Sequence, residues 1–178
     1  MDAYESGVLD PDIHEPLVRD ISRIAKKANV PKAMVWTPMT AMSEPEVDWT
    51  RTIPTNPENT CAGMVYCGDR NPSVDYRLQL IAGVCLRNFI DARYTPLSYW
   101  IESLKKNDPD QARVLLVPDF LVTGLKIPDW QISLVQGALI DRFSSGLQTV
   151  LFVEDMDYVP EVYGARVRKH LLSNYHCV

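Results

Sequence analysis

From Ala62 onward the chain alternates short apolar runs with stretches in which apolar residues return every three or four positions. That alternation predicts βαβ units on a parallel sheet, because a strand covered on both faces reads as a continuous apolar run while a crossover helix buries one stripe. Gly63 to Cys67 (GMVYC) reads as a strand, and Val74 to Asp91 as a helix with Leu78, Ile81, Ala82, Cys85, Leu86 and Phe89 on one face. Arg93 to Thr95 fits a short strand, and Pro96 to Lys105 a helix with proline in its favoured first turn. Val114 to Val117 (VLLV) is the clearest buried strand. A long helix from Asp129 to Phe143 ends at Ser144-Ser145-Gly146, where Gly146 suits a left-handed cap. Gln148 to Val153 is the next strand, and Pro160 to Tyr175 reads as one or two helices rich in Arg and Lys.

The first 60 residues are patterned differently. They hold seven of the 13 prolines and ten acids against six bases. Leu17, Ile21, Ile24, Ala25 and Ala28 recur at helical spacing before Pro31, which predicts an amphipathic helix from Glu15 to Ala28. Pro38, Pro45, Pro54 and Pro57 then predict a long irregular connection. The expected organisation is a Pro-rich arm over residues 1–60, followed by one α/β domain over 61–178.

Composition narrows the classes. A chain of 178 residues with 46% apolar content supports one core. Its formal charge of −5 argues against coating nucleic acid by bulk electrostatics, though a local basic patch stays open. Cys61, Cys67, Cys85 and Cys177 lack a C-x-x-C spacing, and His14, His170 and His176 are scattered, so reduced structural thiols are preferred to a zinc site. No apolar run has the length of a membrane span, and the acidic start is unlike a signal peptide; a cytoplasmic protein is expected.

Two segments could carry chemistry. Gly68 to Asp75 lies between a strand and a helix, with the place and length of a phosphate-binding G-x-x-x-x-G-K-[ST] loop. Such a loop works by surrounding phosphates with backbone amides, neutralising them with lysine and holding magnesium through a hydroxyl. Here Ser73 stands for the second glycine, Val74 for lysine and Asp75 for the hydroxyl residue. The segment reads either as a vestigial loop of this kind or as an ordinary strand-to-helix turn. Asp119, at the end of VLLVPDF, stands where a magnesium-holding acid would follow such a strand, with Phe120 in place of the second, water-activating acid. A buried strand with an acid at its edge explains it equally well.

The order of elements, with LLVPDF, a Trp-containing helix carrying ALIDRFSSG, the strand QTVLFV and then YGARVRKHLLSN, resembles the AAA+ core of the bacterial helicase loader DnaC and the transposition protein IstB. The resemblance implies a P-loop NTPase-like, RecA/AAA+ α/β fold with a parallel sheet flanked by helices. It also implies a vestigial nucleotide site at Gly68, Ser73, Asp119 and Glu154, with Glu154 where a polar sensor such as Asn is expected. An arginine finger would fall on or near His170, with Arg166 and Arg168 just before it.

Arg166, Arg168, Lys169 and His170 form a basic cluster that is either a solvated helix face or a contact for DNA phosphate or an acidic partner. Trp36, Trp49, Trp100 and Trp130 are expected as core or interface anchors rather than base-stacking platforms. The reading is a non-catalytic, helicase-loader-like adaptor in DNA replication or mobile-element transactions. It would bind a protein partner such as a replicative helicase or AAA+ homologue, within a possible homo- or hetero-oligomer. Single-stranded DNA is a possible second ligand, and neither ATP with magnesium nor a catalytic residue is favoured. The amphipathic helix around Leu17 to Ala28 is the expected partner grip. The rival is a nucleotide hydrolase or other small α/β enzyme, with an acidic metal site where Asp69, Asp119, Glu154 and Asp155 gather at the carboxyl ends of the strands.

Overall fold

The computed structural model describes residues 11–53 and 61–178. Five parallel strands, β1 (Gly63–Cys67), β2 (Ala92–Tyr94), β3 (Val114–Leu121), β4 (Gln148–Val153) and β5 (Tyr175–Cys177), form one sheet in the order β2-β3-β4-β1-β5. The strands at Gly63–Cys67 and Gln148–Val153 have the expected bounds. β3 runs on beyond Val117 because Pro118, which has no amide to donate, falls at an irregularity in its pairing with β4 between Val117 and Leu121. β5 is unforeseen: three residues directly after a helix leave no periodicity to read.

The helices divide by face. α4 (Pro72–Arg87) packs Val74, Leu78, Ile81, Ala82 and Cys85 onto Met64, Tyr66, Leu116, Val150 and Phe152. On the other face α5 (Leu97–Lys105), α6 (Asp129–Ser144), α7 (Val159–Tyr163) and α8 (Ala165–Asn174) cover Val65, Leu115, Val117, Leu151 and Val153. Gly146 takes φ 72° after α6, the left-handed cap its position predicts. Phe89 departs from expectation: α4 ends at Arg87, Phe89 adopts φ 58°, and its exposed ring stacks on His14 with centroids 5.8 Å apart.

The amino-terminal segment differs most from its reading. Its first helix, α1, spans Pro11–Ala28, longer than expected at its start. Two of the prolines that predict an irregular connection instead sit at starts of short helical pieces, Pro38 before a 3-10 turn at Met39–Ala41 and Pro45 inside the first turn of α3 (Glu44–Thr52), while Pro31, which ends the first helix, also precedes α2 (Lys32–Trp36). Pro54, Pro57 and residues 1–10 lie outside the described residues.

These helices close over α4. Leu17, Ala25, Ala28, Val35, Trp49 and Ile53 are buried with the sheet face that α4 covers, and Met39 joins Leu80 and Val84 on the far side of α4. The stripe expected to grip a partner is thus turned onto the domain. The fit is close: a Cβ on Gly83, in mid-α4, would lie 2.2 Å from the carbonyl oxygen of Met34, so only glycine lets the two backbones touch. Arg87, fully buried at the end of α4, donates to the carbonyls of Val35 at 2.6 Å and Thr37 at 3.0 Å.

Candidate functional site

β1 and β4 are neighbours whose outgoing chains diverge: β1 leads to α4 on one face, β4 to α7 and α8 on the other. Divergence of this kind opens a crevice at the carboxyl edge, the usual ligand position in a parallel sheet. The loop Gly68 to Asn71 lies there, with the ends of β3 and β4 beside it.

The loop is internally satisfied. Asn71 caps α4, its Oδ1 accepting from the Ser73 amide at 3.0 Å and from the Ser73 hydroxyl, so an amide that a phosphate would use is already donated. Gly68 has φ 132° and open space around it, and its amide donates to the Val153 carbonyl at 3.3 Å. Asp75, one turn into the helix, takes both of its oxygens to Arg70 at 2.7 Å and also accepts from the Tyr94 hydroxyl. Arg70 reaches further, donating to the Pro118 carbonyl at 2.7 Å with its guanidinium carbon 5.2 Å above the Phe152 ring. One side chain thus ties the β1 loop to α4, β3 and β4, and its charge is spent within the chain.

The acids have separate attachments. Asp119 Oδ1 accepts from the Leu97 amide at 2.7 Å and so caps α5 from β3. Glu154 accepts from the amide and hydroxyl of Thr123, the latter at 2.5 Å, and these bonds hold its carboxyl below the usual range. Phe120 is buried and stacked on Tyr163 with centroids 4.4 Å apart, and the Tyr163 hydroxyl donates to the Phe120 carbonyl at 2.5 Å. Among the described residues, no three His, Cys, Asp or Glu side chains cluster closely enough to hold a metal ion. Burial raises the Cys67 thiol to about 11 and the Cys85 thiol to about 12, which leaves both protonated near neutrality.

α8 places the basic cluster on two sides. Arg168 is paired at the surface with the exposed Asp157 carboxylate at 2.6 Å and donates to the Met156 carbonyl at 3.3 Å. Arg166 and Lys169 are exposed and make no hydrogen bond or ion pair among the described residues; Leu172 is exposed on the same side. His170, placed by the resemblance near a finger, is half-buried between Phe143 and Tyr175, edge-on to both, with Nδ1 3.1 Å from the Asn174 side-chain nitrogen. Burial and nearby Arg166 lower its pKa, so a packed neutral imidazole occupies the place. Trp49 and Trp100 are core residues, Trp36 is partly buried, and Trp130 is exposed beneath Lys105, whose nitrogen is 5.0 Å from its ring centroid.

Sequence reasoning marked the loop but missed its content. The Arg70, Asp75 and Tyr94 network, and the buried Glu46 that α3 sends to Tyr66 and Arg77 behind it, depend on contacts between elements distant in sequence. Opposite charges at Arg70 and Asp75 were the one visible sign.

The sheet order and its two helical layers form a P-loop NTPase-like α/β fold. Among solved structures the chain is similar to AMPPCP-bound DnaA from Aquifex aeolicus, with a TM-score of 0.55 and 12% identity over 74% of this chain. It is also similar to a replication initiator DnaA bound to AMPPCP and single-stranded DNA (TM-score 0.52, 12% identity, 72% of this chain). A DNA replication initiation factor gives a TM-score of 0.54 at 13% identity over 77% of this chain. The chain matches 44%, 44% and 46% of those three structures, less than half of each. No family model and no curated protein matches it. No described helix is long and apolar enough to cross a membrane.

Proposed function

We propose that the chain is a non-catalytic AAA+-fold adaptor of the helicase-loader kind, acting in DNA replication or mobile-element transactions through a protein partner. The observation that carries this reading is the Arg70–Asp75 pair. A carboxylate stands where a loop of this type holds magnesium, and the loop's own cation is neutralised by it. The likeness to DnaA structures supports a replication context. The crevice then serves as a braced scaffold, and the vestigial positions Gly68, Ser73, Asp119 and Glu154 have structural tasks.

The contact surface we assign is the outer side of α8, where Arg166, Lys169 and Leu172 stand three residues apart and are exposed. An apolar anchor flanked by two cations suits an acidic protein surface, with a replicative helicase or AAA+ homologue as the expected partner. Replacing Arg166 and Lys169 by glutamate should weaken capture of that partner while leaving the melting temperature in place.

Nucleotide decides between this and the competing reading, a nucleotide hydrolase or other small α/β enzyme using the acids at the carboxyl edge. A ligand at a hundredfold excess over its dissociation constant adds about 2.7 kcal/mol of stability. Millimolar ATP or ADP with magnesium should leave the thermal unfolding curve unmoved. A rise of several degrees, or magnesium-dependent phosphate release, would overturn the proposal.

A further inference from the structure

A second concavity lies at the opposite, amino edge of the sheet. Between α5 and α6 a half-open cavity of about 310 Å³ is walled by Trp100, Leu104 and Leu134 and rimmed by Asn107, Asp110 and Asp141. Gly137 also lines it, in the middle of α6, where glycine weakens a helix relative to alanine.

The other described glycines have local reasons to be glycine. Each has a positive φ, apart from Gly83, which is pressed against the Met34 carbonyl. Gly137 has neither, and a Cβ there would meet nothing within 4 Å. Folding gains nothing from the missing side chain; the cavity gains depth.

The polar groups at the rim differ in how far they are committed. The Arg142 guanidinium is turned inward to the carbonyls of Asp110 at 2.7 Å, Ala112 at 3.0 Å and Gln148 at 2.7 Å. Asp110 takes the Ala112 amide at 2.8 Å and Arg93 at 3.2 Å. The Asp141 carboxylate makes no hydrogen bond or ion pair among the described residues. An apolar wall with one uncommitted negative charge at its mouth is complementary to an apolar body carrying one positive charge.

The geometry points to a binding site for a small organic cation, an aryl-alkyl amine whose apolar part lies between Trp100 and Leu134 over Gly137 and whose ammonium reaches Asp141. The site shares no residue with the crevice, so it stands or falls independently of the adaptor reading.

Phenethylamine, with phenylpropionate as an anion of similar size, is the probe. Titrated into the full chain and followed by amide NMR shifts, the amine should give saturable changes confined to α5 and α6. The anion should bind at least about tenfold more weakly, since its carboxylate would face Asp141. Asp141→Asn should weaken the amine about fivefold, the effect of an exposed ion pair. Gly137→Leu should abolish binding while the melting temperature holds or rises, which separates a filled cavity from an unfolded protein. Gly137→Ala, the milder change, should raise the melting temperature and weaken the amine. Absence of saturable shifts, equal affinity for the anion, or undiminished binding to Gly137→Leu would each overturn the inference.

Discussion

The Arg70 guanidinium meets both carboxylate oxygens of Asp75 at 2.7 Å, across the turn that joins β1 to α4. Both side chains are about one-third exposed, so solvent screens the pair and its strength is modest. A double-mutant cycle with Arg70→Ala and Asp75→Ala should give a coupling of about 1 kcal/mol by urea unfolding. Arg70→Ala alone should cost more than the coupling, because it also leaves the Pro118 carbonyl without its donor.

Glu46 is a heavier commitment. Its carboxylate is 1% exposed and accepts from Arg77 at 2.9 and 2.7 Å, from the Ser43 amide at 2.6 Å and from the Tyr66 hydroxyl. Glu46→Ala would leave a buried phenol unpaired and should destabilise the chain by about 2–3 kcal/mol, below the full cost of a broken buried pair because Arg77 can turn to water.

The same contact sets an alkaline limit. Burial, then the Glu46 charge, raises the Tyr66 pKa above its ordinary value near 10. The unfolded chain therefore releases this proton first. The stability tied to a neutral Tyr66 is present below pH 10 and is lost as pH rises beyond it. Phenolate absorbance should appear together with unfolding, and Tyr66→Phe should remove this contribution to the slope.

At the acid end His170 acts in the opposite sense. Its folded pKa lies below the unfolded value of 6.5, so the unfolded state binds the proton more readily. Stability is complete above pH 6.5 and declines as pH falls toward the folded pKa. Comparing urea midpoints for the parent chain and His170→Gln should show a smaller decline in the variant.

Gly83 tests the amino-terminal layer. A methyl there cannot fit beside the Met34 carbonyl, so Gly83→Ala should push α2 off α4 and cost about 3 kcal/mol despite improving helix propensity. Unchanged stability would mean that α2 is not docked in solution.

Much of the sheet was legible because GMVYC, VLLV and QTVLFV are continuous apolar runs between polar breaks. The cover over α4 was less so, although the sequence held a sign of it. From Leu78 to Leu86 α4 is apolar except at Gln79, and a helix apolar on all sides must be covered on all sides. Reading only one stripe left its far side without a partner and residues 32–52 without a place. Pieces such as Lys32–Trp36 and Met39–Ala41 are too short to show a 3.6-residue period, so their prolines outweighed them. The crevice was legible as a position, since loop order fixes where a strand ends. Its wiring was not, because Asp119 reaching Leu97, or Arg70 reaching Pro118, has no local signature.

Arg87 gives the amino-terminal helices a further property. Peeling α2 away would cost the buried guanidinium its bonds to the Val35 and Thr37 carbonyls, a cost beyond that of separating greasy surfaces. Residues 32–37 should therefore exchange their protected amide hydrogens in step with α4. Any partner that meets this side of the molecule meets a fixed relief, not a tether that can be drawn out.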